Sequence, residues 1–177
     1  AHLRFWSIDV APSCDSFQNV RCMGVNELLQ PVVQDFRLLA SQRCVMLRFL
    51  GNQHHVMVHD QAVARMVRNV LMNALRCTPA GGRVLLGCRR LSNWLWIWCM
   101  DNGRGMTASQ LAACESALSG SDHAANVAEG EGSLGLGLFS FSQLAKQMNL
   151  PSRMHSTLGK GTMIGFAVPL APTPSPH

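Results

Sequence analysis

Two asparagines four residues apart, Asn69 and Asn73 in RMVRNVLMNALRCTP, are the first residues whose types and spacing point to chemistry. On a helix that spacing puts both amides on one face, with Arg65 and Arg76 beside them. Met66, Val67, Val70, Leu71 and Ala74 cover the other side. An amide oxygen is a hard, neutral ligand, suited to a Mg2+ shell made mostly of water and phosphate oxygens. The competing reading is a pair of surface asparagines with no task. Asn is a mediocre helix former, so two beside two arginines lean toward function.

A second candidate is DNGRGM, residues 101–106. It sets a carboxylate at the end of an apolar strand and follows it with two glycines that let backbone approach a flat ring. Such a carboxylate can accept a hydrogen bond from an exocyclic amine. An ordinary Asp-Asn-Gly turn would look the same locally.

The third is GEGSLGLGLF, residues 130–139. Its first six letters spell the GxGxxG of a dinucleotide-binding loop. That reading needs a strand before the loop and an acidic residue about 20 positions after it. A polar stretch precedes it here, and no Asp or Glu follows Glu131. Shifted in frame, GSLGLGLF is a glycine-rich turn that opens a helix, whose free N–H groups suit a phosphate.

The elements that must hold these residues can be drawn from periodicity. A helix is expected over NELLQPVVQDFRLLASQR, with Asn26 as N-cap and its regular part starting at Pro31. CVMLRFL (44–50) and HVMVH (55–59), joined by Gly51-Asn52, predict a hairpin. Asp60 is the expected cap of the asparagine-bearing helix, which ends at Thr78-Pro79-Ala80-Gly81-Gly82. RVLLGCRR (83–90) and NWLWIWCM (93–100) predict a second hairpin. Thr107 and Gln110 have capping-box spacing for a short helix. Residues 137–149 read as a helix with Leu138, Phe141, Ala145 and Met148 on one face. Asn149 suits its left-handed end, and Pro151 stops it. RMHST, LGKG and TMIGFAVPL predict a closing hairpin.

Composition bounds the whole. With 177 residues, 47% hydrophobic and 14% charged, the chain can bury a real core as one domain. Its net charge of +5 comes from scattered residues without a Lys/Arg block, which argues against a nucleic-acid partner and suits a polyphosphate ligand. None of the seven cysteines forms a CxxC pair, and Cys44, Cys77, Cys88 and Cys99 sit in apolar stretches like buried thiols. A reducing, cytoplasmic setting is expected. No apolar run is long enough to span a bilayer, so no membrane contact is expected of this segment.

Together these pieces resemble the ATP-binding domain of the GHKL superfamily, which includes DNA gyrase, MutL and sensor histidine kinases. RNVLMNALRCTPAGG is similar to the N box, DNGRGM to the G1 box and GSLGLGLF to the G2 box. STLGKGTMIGFAVPL is similar to the closing segment. The four motifs occur in order and cover roughly residues 24 to 170. The catalytic (HATPase_c) domain of sensor histidine kinases is the best match. The resemblance implies a Bergerat fold: a two-layer α/β (α+β) sandwich, its sheet mixed but mostly antiparallel, with helices on one face. The implied domain is 23–170, preceded by a lead-in, 1–22, and followed by a disordered tail, 171–177.

The resemblance also implies roles. Asn73 coordinates Mg2+, Asn69 supports the metal or the phosphates, and Arg76 lies near the phosphates. Asp101 accepts from the adenine amine with Thr162 nearby, and Gly103, Gly105 and Met106 fit the base. Ser133, Leu134, Gly135, Leu136, Gly137 and Leu138 cradle the triphosphate, and residues 107–132 form a lid. Hydrolytic branches carry a Glu general base where this chain has Asn69, and an amide cannot serve as one. That favours phosphoryl transfer to a protein side chain. The implied partners are an upstream dimerisation domain bearing a phosphoacceptor His, and a response regulator, in a homodimeric full-length protein. None of the seven histidines here has an acidic residue after it on a dimerisation helix, so the isolated chain is not expected to phosphorylate itself. Two other readings stay open: a serine kinase of the anti-sigma type, and a degenerate domain that docks a regulator or partner kinase. The lid supports the latter, with no Lys or Arg between Arg104 and Lys146 but with Glu115, Asp122, Glu129 and Glu131. In NWLWIWCMD the tryptophans alternate with Leu95, Ile97 and Cys99. Cover by the lead-in, through Phe5 and Trp6, is the favoured reading of their face, and docking of a partner the other.

Overall fold

The computed structural model describes residues 19–119 and 136–172. Seven strands and four helices are present among them: β1 (Arg21–Gly24), α1 (Val25–Gln42), β2 (Met46–Leu50), β3 (His55–Val58), α2 (Asp60–Cys77), β4 (Arg83–Leu91), β5 (Trp94–Asp101), α3 (Ala108–Ser119), α4 (Leu136–Gln147), β6 (Ser152–Thr157) and β7 (Gly161–Pro169). Five strands form a sheet in the order β2-β4-β5-β7-β6, with only the β2–β4 pair parallel. Helices cover one face, giving the expected two-layer α/β sandwich. β1 and β3 form a separate antiparallel pair, tied to the end of β7 by the Val56–Leu170 bridge.

The alternation in β4, β5 and β7 decides what lies between the layers. Val84, Leu86, Leu95, Ile97, Cys99, Ile164, Phe166 and Val168 are buried toward the helices. They meet Leu29, Val33, Met66, Leu71 and Leu75 from α1 and α2, and Phe141 from α4. The rings of Phe141 and Phe166 meet edge to face, 5.8 Å between centroids. Burial pushes the Cys99 thiol far up and the Cys88 thiol up to about 12, so neither is a thiolate at neutral pH.

Several expectations hold. The 83–90/93–100 and closing hairpins form as paired strands. The capping box closes reciprocally: Thr107 N–H donates to Gln110 Oε1 (3.0 Å) and Gln110 N–H to Thr107 Oγ1 (3.3 Å). Asn149 is left-handed at φ 50°.

Others are corrected. β2 and β3 do not form a hairpin: β2 pairs in parallel with β4, and β3 pairs with β1. The parallel pair needs a crossover, and α2 supplies it. Gly24, not Asn26, caps α1, and the helix runs unbroken through Pro31. Val25, Leu28 and Leu29 ahead of the proline are buried, so packing holds the first turns despite the missing N–H. His59, not Asp60, caps α2, its Nδ1 accepting from Ala62 N–H, while Asp60 pairs with Arg21. Cys44 is exposed, because it is the left-handed residue (φ 54°) that turns the chain out of α1. Cys77 and Cys88 are half-buried, and of the four only Cys99 is buried. Within the 1–22 lead-in, Arg21 and Cys22 belong to β1.

Candidate functional site

α2 places its two asparagines one turn apart on the side toward α4. Asn73 is buried, at 7% exposure. Its Oδ1 accepts only a long, 3.5 Å contact from Arg76 Nη2, and Arg76 itself is exposed. Asn69 has a buried Nδ2 with no hydrogen-bond partner among the described residues. A buried amide left unpaired costs roughly 1–3 kcal/mol. Its donor capacity is left for an acceptor beyond the described residues.

α4 starts against this helix. A Cβ built on Gly137 would sit 3.5 Å from the Asn69 carbonyl oxygen, so the first turn of α4 lies directly on the N-terminal asparagine. The N-terminal turn of α4, the positive end of its dipole, therefore lies beside Asn69, an arrangement suited to an anion. Leu138 is buried beneath. Ser133, Leu134 and Gly135 lie outside the described residues, as does the side chain of Leu136. The lid expectation is described as far as Ser119, where α3 occupies it.

Asp101 is the last residue of β5. Its Oδ1 accepts from Gly103 N–H (2.9 Å) and Thr162 N–H (3.3 Å). Burial raises the pKa of this carboxyl, and the two backbone N–H groups partly offset that. Thr162, opposite Asp101 in the β5–β7 register, is itself buried. Its hydroxyl shares a 2.8 Å hydrogen bond with Ser156. Ser156 escaped the sequence reading; the closing hairpin pairs it with Thr162, so an exact register would have found it.

The loop after Asp101 is held by close backbone approach. A Cβ on Gly103 would stand 2.4 Å from the Cys77 carbonyl oxygen, at the end of α2. Gly105 adopts φ +66°, and a Cβ there would meet the Thr157 carbonyl oxygen at 2.0 Å. Arg104 N–H donates to Cys77 O, and Gly159 N–H to Arg104 O. The end of α2, the loop and the β6–β7 turn are thus laced together. Met106 is half-buried, with the Cys114 thiol 3.6 Å from its sulfur.

Asn69, Asn73 and Arg76 thus lie along α2 with Gly137 of α4 against Asn69, while Asp101, Gly103 and Thr162 group at the end of β5, the loop reaching back to Cys77 at the end of the same helix. Among the described residues no group of three His, Cys, Asp or Glu could hold a metal ion. A cation here would need ligands from a bound anion, with the Asn73 oxygen as the protein's share.

Comparison with known proteins follows this geometry. Residues 59–172, well over half of the chain, match the family described as histidine kinase-, DNA gyrase B- and HSP90-like ATPase. The sensor histidine kinase CusS of Escherichia coli O6:H1 is 30% identical over 76 residues, 43% of this chain and 16% of that protein. This chain therefore spans a small part of that relative. Among solved structures, the catalytic domain of histidine kinase ThkA superposes with a TM-score of 0.71 at 14% identity, covering 88% of this chain and all of that one. Full-length ShkA in complex with AMPPNP gives 0.73 at 18% identity, over 91% of this chain and 33% of the other. The mycobacterial sensor histidine kinase MprB gives 0.66 at 18%, over 88% and 100%.

Proposed function

The chain belongs to the histidine kinase-, DNA gyrase B- and HSP90-like ATPase family, and we propose that it is the ATP–Mg2+-binding catalytic domain of a two-component sensor histidine kinase. The observation that carries this reading is the buried Asn69 amide, unpaired among the described residues, beside the start of α4. Asp101 accepts from the adenine amine, and the Gly103 and Gly105 backbone leaves the base room to lie flat. Asn69 and the N-terminal turn of α4 donate to phosphate oxygens. Arg76 adds a positive charge near the phosphates, and the Asn73 oxygen would be the protein's ligand to Mg2+. When bound, the ion neutralises charge on the terminal phosphates. Residues 133–138 complete the cradle, with Met106 beside the base.

After Asp60, α2 carries no carboxylate. Nothing on the N-box helix can deprotonate water, so the site suits transfer to a nucleophilic side chain over hydrolysis. The acceptor is a His on a dimerisation domain outside this chain, and the product phosphohistidine supplies a response regulator. The assembled protein is a homodimer, and this domain works in the cytoplasm. Residues 23–170 form the nucleotide-binding unit.

Calorimetry with ATP–Mg2+ tests the proposal. Binding is expected, with Asn73→Ala and Asp101→Ala each weakening it at least about tenfold, the scale of one lost charge-assisted contact. Absence of binding heat, or variants that bind like the parent, would refute it.

A further inference from the structure

The helix-free face of the five-stranded sheet has a composition that nucleotide binding does not explain. By register it carries Trp94, Trp96, Trp98 and Met100 of β5 down its middle, between β4 and β7. Met46, Leu50 and Leu91 extend the apolar area across β2 and β4, and are 57%, 51% and 42% exposed. These are three of the most exposed large apolar side chains among the described residues. Arginines flank the strip: Arg48, Arg83 and Arg89 on one side, and Arg153 of β6 on the other. The register puts no Asp or Glu on this face. The ion pairs among the described residues, Arg21–Asp60 and Arg68–Asp35, involve none of these four arginines.

The ring geometry narrows the occupant. Trp96 and Trp98 stack on each other, 5.1 Å between centroids and 14° between planes. Arg153 stands over Trp96 at 5.3 Å. The Trp98 ring lies on Gly165, where a Cβ would come within 2.2 Å of it. The Trp96 and Trp98 ring faces are therefore engaged inside the protein: Trp96 is buried at 7% exposure, and the face presents outward the half-exposed Trp94, Trp98 and Met100 beside the exposed Met46, Leu50 and Leu91. A nucleic-acid base needs a free ring face to stack on, whereas an apolar helix stripe needs only the strip. β5, eight residues long, runs about 26 Å at ~3.3 Å per residue. That matches a helix of about 17 residues at ~1.5 Å rise.

We propose that this arginine-flanked tryptophan face is a docking surface for an acidic amphipathic helix of a partner protein. The partner's apolar stripe lies along β5, and carboxylates on either side of the stripe meet Arg48, Arg83 and Arg89 on one flank and Arg153 on the other. The face is separate from the proposed nucleotide site, and its occupancy does not depend on the reading of that site.

The test titrates the full chain, by tryptophan emission, with a helical peptide of about 17 residues that has a Leu stripe flanked by Glu. The same peptide with Lys for Glu, and an oligothymidylate, are run beside it. Saturable binding of the acidic peptide alone is expected, weakened by high salt. The double variant Arg48→Glu/Arg89→Glu should lose at least about tenfold in affinity while keeping its melting temperature and nucleotide binding, since both side chains are exposed. Equal binding of both peptides, binding of the oligonucleotide in preference, or no binding would overturn the proposal. So would a dimer of this chain that the double variant dissolves. Acidic-peptide binding seen only after deletion of residues 1–18 would also overturn it, assigning the face to the chain's own N-terminal segment with Phe5 and Trp6, which lie outside the described residues.

Discussion

Asp101 and Asn69 each carry a cost to folding that a ligand would remove. Burial raises the Asp101 pKa, so the folded state holds its proton more tightly than the unfolded chain does. The sign follows from linkage: the ionised form is penalised above the folded pKa, and the penalty vanishes as pH falls below the unfolded value. Asp101→Asn keeps an oxygen for Gly103 and Thr162 N–H but carries no charge. At pH 7 its melting temperature should equal or exceed the parent's, the gap closing as pH is lowered toward 4. Its ATP affinity should still fall at least about tenfold, because an amide N–H can face the adenine amine. Thermal melts at the two pH values, paired with calorimetry, check both halves. Asn69→Leu tests the second cost. Removing an unpaired buried amide is neutral or stabilising, so the melting temperature should hold or rise while ATP binding weakens. A loss of stability with unchanged binding would mean that Asn69 is structural.

At the scale of elements, the Asp101 loop is held where backbone admits no Cβ. Gly105 and Gly159 both have positive φ, but only Gly105 is also against backbone. Gly159→Ala should cost roughly 1–2 kcal/mol, the left-handed penalty alone. Gly105→Ala adds a collision with Thr157 O, and should cost at least about 1–3 kcal/mol more. It should also weaken nucleotide binding, because the loop that follows Asp101 must move. Urea titration of the two variants measures the difference; equal costs would show that the β6–β7 turn gives way freely. The two hairpins that formed as expected have strands adjacent in sequence. The one that failed did so because β2 and β3 each prefer a distant partner. No residue in 44–59 encodes that preference, since an edge strand and a hairpin strand carry the same local pattern.

For the whole molecule, one core joins α1, α2 and α4 to the sheet. Phe141 is fully buried and meets Phe166 across the layers. Phe141→Ala should cost about 3–5 kcal/mol and lower the stability of the whole unit in a single transition, seen as one shifted denaturation curve. It should also weaken ATP binding, because α4 supplies the helix start beside Asn69. No described helix is long and apolar enough to cross a membrane.

The sequence by itself determined the candidate residues and their order: Asn69 and Asn73 at helical spacing, Asp101 before its glycines, and a glycine-rich stretch ahead of α4. It also determined which faces of α2 and β5 are apolar, because periodicities of 3.6 and 2 are local properties. Tertiary structure decided the rest. The parallel β2–β4 pairing, the β1–β3 ribbon and the placement of Gly137 on Asn69 all depend on contacts between residues far apart in the chain. So does the burial that perturbs Asp101. Packing also overruled local signals where the two disagreed: it carried α1 through Pro31, passed the caps to Gly24 and His59, and left Cys44 exposed. Such contacts are selected by the free energy of the assembled core, and no short window of sequence contains them.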